Sequence, residues 1–219
     1  MRGRARARSL RAETQASEGH NALRLATPCA TVAPLPHPAK RRMSTVVSAL
    51  LLGSTLSSGL TAGLFFGWAV SVIPGTAKVS DRNYVATMQS INVAIINPLF
   101  MLFFLGTAVV LAAGAVVHHR DGQTRRGWLL VAAAATYALG VIGVTAARNV
   151  PLNNQLAAFV LDGASEVAVS ERRARYEGPW NTWHYIRTVA NIVAFCLSIA
   201  AQNIDRSNSA VVHTSLRQV

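Results

Sequence analysis

Acidic residues are scarce in this chain, and where they are missing matters more than how few there are. Nine Asp and Glu stand among 219 residues, against 21 Lys and Arg. None lies between Glu18 and Asp81, between Asp81 and Asp121, between Asp121 and Asp162, or between Glu177 and Asp205. Apolar runs fill those gaps. The chain therefore lacks the buried carboxylates that a di-iron centre or a proton-coupled pump needs inside its membrane segments. Cysteine is nearly absent too. Only Cys29 and Cys196 occur, with no C-x-x-C, which argues against a thiol–disulfide oxidoreductase. Cys196 reads as a small packing residue. The apolar segments hold one histidine at most, His184, too few for a bis-histidine haem.

What remains is hydrophobic: 51% of the residues are apolar and 14% charged, where an ordinary soluble domain is about one-quarter charged. The formal charge of +12 does not point to nucleic acid, and no nucleic-acid partner is expected. Nine of the 21 basic residues lie in residues 1–42, and the others flank apolar segments. Basic flanks on apolar spans are a topology signal. The expected partner is the lipid bilayer.

About 20 helical residues cross the hydrocarbon core. By that measure the sequence predicts spans over residues 46–72, 92–117, 127–147 and 184–204. The expected fold class is all-α, an integral membrane four-helix bundle over residues 43–204. A basic, disordered extension (1–42) precedes it and a polar tail (205–219) follows. The extension is Arg-rich and acid-poor, as in an organelle transit peptide. On a second reading Met43, directly after Lys40-Arg41-Arg42, is the true start.

Within the first span Gly59, Gly63 and Gly67 recur at four-residue spacing. That face lets a neighbouring helix approach closely and offers a route to a homo-oligomer. Asn97-Pro98 is expected to kink the first turns of the second span. Residues 164–176 mix Val and Ala with Glu166, Glu171 and three arginines, and read as a surface helix at the membrane. With both termini inside, cytoplasmic segments hold fourteen Lys and Arg against six outside. The expected location is the cell membrane with cytoplasmic termini. Without residues 1–42 the balance is five against six, and the rule is silent.

Polar side chains inside spans are costly, so their positions carry information. An up-down order of four spans gathers Gln89, Asn92, Asn97, Asn149, Asn153, Trp180, Trp183, His184 and Arg187 at one membrane face. His184, Arg187 and Asn191 are spaced i, i+3, i+7 and share one helix stripe. Gln89 and Asn97 lie about 80° apart around an ideal helix. Together these groups predict a polar pocket near the interface. Taken singly, the tryptophans read as belt aromatics, Arg187 as a snorkelling side chain and the asparagines as interhelical glue.

The stretch Ala62-Gly63-Leu64-Phe65-Phe66-Gly67-Trp68, running into Val72-Ile73-Pro74, resembles the first span of the anthrone oxygenase-like family of small four-span membrane proteins. Three further stretches fit in order. They are Met88-Gln89-Ser90-Ile91-Asn92 with Asn97-Pro98, then Asn149-Val150-Pro151-Leu152-Asn153, then Trp180-Asn181-Thr182-Trp183-His184 with Arg187-Thr188. The resemblance covers residues 46–204. It implies oxidation of a lipophilic anthrone-like polyketide to a quinone by O₂, and the scarcity of metal and haem ligands in the spans fits a route with no metal or organic cofactor. On this reading His184 is the general base. Arg187 and one of Asn92 or Asn149 stabilise the oxyanion. Trp180 and Trp183 stack on the rings, while Gln89, Asn97, Asn153 and Asn191 complete the binding pocket. A reading from another class is a non-enzymatic carrier or assembly scaffold that uses the glycine face.

Overall fold

A computed structural model describes residues 38–215, with side chains described for 45–204. The expected disorder of the extension and the character of the tail fall outside the described residues.

The described chain is helical throughout, without a strand. Helix α1 spans residues 38–76 and α2 Asp81–Ala94. Helix α3 is Pro98–Arg120, α4 is Thr124–Ala157, and α5 is Glu166–Ser215. Four of them are long and apolar enough to cross a membrane, which marks an integral membrane protein. Their lipid-facing surface is greasy: Leu60, Leu102, Val109, Leu139 and Val189 are all more than half exposed.

The second span differs from its sequence reading. The chain breaks at residues 95–97 instead of kinking, so α2 and α3 are separate helices. Asn97 has extended backbone and its Oδ1 accepts from Phe100 N at 2.9 Å, while Pro98 takes the first helical position. A capping side chain followed by a residue lacking N–H starts a helix; it does not bend one. The other connections are short, and Gly122 supplies the left-handed turn (φ 76°) between α3 and α4.

The third span also runs longer than read, through Pro151 to Ala157. Two π turns, Ala138–Gly143 and Thr145–Asn149, shift the hydrogen-bond register just upstream. The missing Pro151 N–H therefore falls where the ladder is already changing. The surface helix expected at 164–176 is the first part of α5, which continues unbroken into the fourth span.

Two cores hold the bundle. Leu51, Phe65, Phe104, Leu111, Leu130, Tyr137, Val141 and Ala194 pack at mid-height. Ile73, Tyr84, Val85, Met88, Leu156, Val169, Tyr176 and Trp180 pack at the end where α2 lies. Arginines pin this end. Arg173 donates to Val79 O (2.8 Å), Ala77 O (3.1 Å) and Asp81 Oδ1 (2.9 Å) and pairs with Glu177. Arg82 donates to Leu161 O, Ala164 O and Glu166. The close helix approaches only partly follow the glycine face. A Cβ on Gly59 would come within 2.9 Å of Phe195, but Gly63 and Gly67 have nothing within 4 Å. The tightest approach of α4 to α5 is at Gly140, where a Cβ would lie 2.5 Å from that of Ala190.

Candidate functional site

Tyr176, Trp180 and His184 recur every fourth residue along α5, so their rings lie one above another on a single face. Tyr176 and Trp180 stack with centroids 6.1 Å apart, and Trp180 and His184 at 5.1 Å with planes 6° apart. The row continues across helices to Phe65 of α1, 5.6 Å from His184, and from there to Phe104 and Phe100 of α3. Arg187, three residues beyond His184, lies against this row. Its guanidinium carbon is 4.9 Å from the Phe65 ring centre and 5.1 Å from that of Trp180.

These residues border a cavity of about 260 Å³ between α1, α2, α3, α4 and α5. Its wall is mostly apolar: Leu64, Ile91, Ile95, Ile96, Phe100 and Met101 contribute, with Phe65, Trp68 and Phe104. The polar groups are few: Asn92, Thr145, Asn153, His184 and Arg187. On α1 and α4 the wall lies beside π turns, at Trp68–Val72 and Thr145–Asn149, a common location for such irregularities.

Arg187 is 8% exposed and His184 1%. Arg187 donates Nε (3.3 Å) and Nη2 (3.1 Å) to His184 Nδ1, and Nη1 to Thr145 Oγ1 (3.1 Å). An arginine only donates, so Nδ1 is the bare nitrogen and Nε2 carries the hydrogen. That N–H donates to Phe65 O at 3.1 Å. Both imidazole nitrogens are thus engaged with protein, and no lone pair of His184 is left for a substrate proton. The general-base role expected for His184 does not fit this geometry; His184 instead holds Arg187. Among the described residues no carboxylate pairs with Arg187. Its partners are an imidazole nitrogen, a hydroxyl and two aromatic faces.

Asn153 and Asn92 are joined through Tyr176. Asn153 Oδ1 accepts from Trp180 Nε1 (2.8 Å) and Tyr176 Oη (2.9 Å), and Asn92 Nδ2 donates to Tyr176 Oη at 3.1 Å.

Five of the residues expected in the pocket stand elsewhere. Gln89 donates Nε2 to Leu156 O and Phe159 O (2.8 and 2.9 Å), closing the end of α4. Asn97 caps α3. Asn149, 1% exposed, donates to Trp180 O at 3.3 Å and does not border the cavity, so it has no reach to an oxyanion there. Asn191 accepts from Thr61 Oγ1 at 3.2 Å in the bundle interior. Trp183 lies under Arg148, 4.8 Å from its guanidinium carbon. Trp180 does border the cavity, but it sits between Tyr176 and His184 in the ring row, so its faces are covered by protein. The aromatic surface left for a ligand belongs to Trp68, Phe65, Phe100 and Phe104.

Tyr176, Phe65, Phe100, Phe104 and Thr145 were not anticipated as site residues. The four-residue spacing of Tyr176 from Trp180 is a signal for the first. The others reveal themselves only once the helices are assembled. Beside the site on α2, burial pushes the Tyr84 phenol up, the Glu177 carboxylate adding to the shift, so it stays protonated.

A membrane-spanning four-helix bundle with an aromatic cavity and a buried arginine is the class this architecture defines. Residues 97–197 match the family described as anthrone oxygenase. The motifs at Asn149–Asn153 and Trp180–Thr188 lie inside that match, and those at Ala62–Trp68 and Met88–Asn92 precede it. No curated protein and no solved structure matches the chain.

Proposed function

We propose that the cavity binds an anthrone-like aromatic polyketide as its enolate and directs it to O₂, giving the quinone. One observation carries this reading: a guanidinium buried beside an aromatic cavity with no carboxylate partner among the described residues. A buried charge ordinarily has a counter-ion. Here the place for one is the cavity, and the anion that suits its walls is flat, aromatic and delocalised.

The chemistry balances without an external reductant. The doubly benzylic C–H of an anthrone is acidified by the ring ketone. Loss of that proton leaves an enolate whose oxygen pairs with Arg187. The carbanionic carbon transfers its electrons to O₂, forming a C–O bond and, after protonation, a hydroperoxide. Loss of the remaining C–H proton breaks the O–O bond, releasing water and the second ketone. Anthrone plus O₂ thus gives anthraquinone plus water. Arg187 stabilises the enolate oxygen, His184 and Thr145 fix the guanidinium, and Trp68, Phe65, Phe100 and Phe104 bracket the rings. The proton passes to solvent or a dissolved base. No metal or organic cofactor is required by this stoichiometry, and none is proposed.

The test is oxygen uptake and quinone absorbance when detergent-solubilised protein meets anthrone, with Arg187→Ala alongside. Anthrones autoxidise, so the protein-free rate is the baseline. Acceleration above it that Arg187→Ala loses supports the reading; a wild-type rate equal to the baseline discards it. Cell-membrane location with both termini cytoplasmic remains part of the proposal. The non-enzymatic alternative, a carrier or scaffold, draws on one observation: Gly63 and Gly67 have open space before them, room for a second copy of α1. That reading predicts that Gly63→Leu disrupts assembly while Arg187→Ala changes little.

A further inference from the structure

We infer that Asn92 and Asn153 form a subsite that reads a ring hydroxyl of the bound aromatic, with Tyr176 as the positioning residue that sets their orientation. The inference rests on the enolate-binding reading above for the identity of the ligand.

The argument starts from the one group in the chain of bonds whose sense is fixed. An indole N–H can only donate. The atom of Asn153 that lies 2.8 Å from Trp180 Nε1 must therefore be its oxygen. That oxygen also lies 2.9 Å from Tyr176 Oη, so the phenol proton points to it. The phenol oxygen has only lone pairs left, and the Asn92 atom 3.1 Å away must be its nitrogen. Trp180 thereby dictates both amide orientations across three helices. Among the described residues Asn153 keeps two N–H donors without a partner. Asn92 keeps its Oδ1 and one N–H.

Both amides border the cavity. Neither of their unpartnered polar atoms is among those sealed inside the protein. The wall around them is apolar: Ile91, Ile95, Ile96 and Val150. A ligand presenting only C–H to an amide oxygen desolvates it without return. A ligand with an O–H donor for Asn92 Oδ1, and a ring oxygen for an Asn153 N–H, meets both. The hydroxyl must be one whose proton is not already held by the ring ketone, so it lies outside the positions flanking that ketone.

The test compares 2-hydroxyanthrone with unsubstituted anthrone on the full chain in detergent. Wild type is expected to favour the hydroxylated compound by about tenfold in kcat/KM, the size of one hydrogen bond. Tyr176→Phe keeps the ring in the stack but removes the hydroxyl that orients both amides. In it, and in Asn92→Leu, the preference should fall towards one. A merely structural defect lowers both rates together and leaves the ratio intact. Wild type that oxidises both compounds with a ratio near one overturns the subsite and leaves the enolate reading standing. If neither is oxidised, the enolate reading falls. The subsite is then judged by tryptophan fluorescence on 2-hydroxyanthraquinone against anthraquinone, below the pKa of the hydroxyl. A tenfold difference in Kd that Tyr176→Phe abolishes supports it, and equal binding overturns it.

Discussion

Arg187 directs two of its nitrogens, Nε and Nη2, at the single bare nitrogen of His184, at 3.3 and 3.1 Å. The fork of the guanidinium is thereby locked inside the bundle, with Thr145 holding its third nitrogen at 3.1 Å. A residue so fixed acts through its position as much as its charge.

Replacing Arg187 by Ala should therefore lower kcat for anthrone oxidation by about 10²–10³, the loss seen when a preorganised oxyanion donor is removed. Arg187→Lys keeps the charge but cannot span His184 and Thr145 together, and it should restore only a small part of the rate. Quinone absorbance with time, corrected for autoxidation, measures both.

His184 separates two roles. As a holder of Arg187 it needs one acceptor facing Nε and Nη2 and one donor facing Phe65 O. Gln offers both, so His184→Gln should stay within about tenfold of wild type. Loss of a general base costs about 10²–10⁴. A pH–rate profile of the variant adds a second readout: a fall in rate towards acid pH that is present in wild type and missing in His184→Gln would return the base role to this imidazole.

Gly140 is the stability test. An added Cβ meets the Ala190 Cβ at 2.5 Å, with backbone directly behind it. Gly140→Val should destabilise the bundle by about 1–3 kcal/mol through overpacking. Gly63→Val, where nothing lies within 4 Å, should stay within about 0.5 kcal/mol. Thermal unfolding in one detergent compares them.

Chelation tests the proposed stoichiometry. Treatment with a strong chelator, followed by its removal, should leave the oxidation rate unchanged. A rate that falls and returns on adding one metal would place a metal in the cycle.

The spans were legible because uncharged runs of this length have few other uses, and the His184–Arg187 pair because both interrupt such a run. Helix ends were less legible. Pro98 begins a helix because Asn97 caps it, whereas Pro151 is carried through by the π register, and an Asn precedes the approach to both. Gln89 and Asn97 looked like pocket residues, since an amide that closes a backbone end and one that meets a ligand read alike in sequence. Tyr176 was hidden in a segment rich in arginine, and nothing in its surroundings announces that α5 continues unbroken past it.

The rim of the cavity has its own consequence. Leu64 and Ile96 belong to its wall and are 44% and 73% exposed, so acyl chains wet this opening better than water does. The variable that sets occupancy is then the mole fraction of substrate in the lipid or micelle phase, not its total molarity. Adding empty micelles at constant substrate should slow the reaction by surface dilution, and an apparent KM measured in detergent has meaning only beside the detergent concentration.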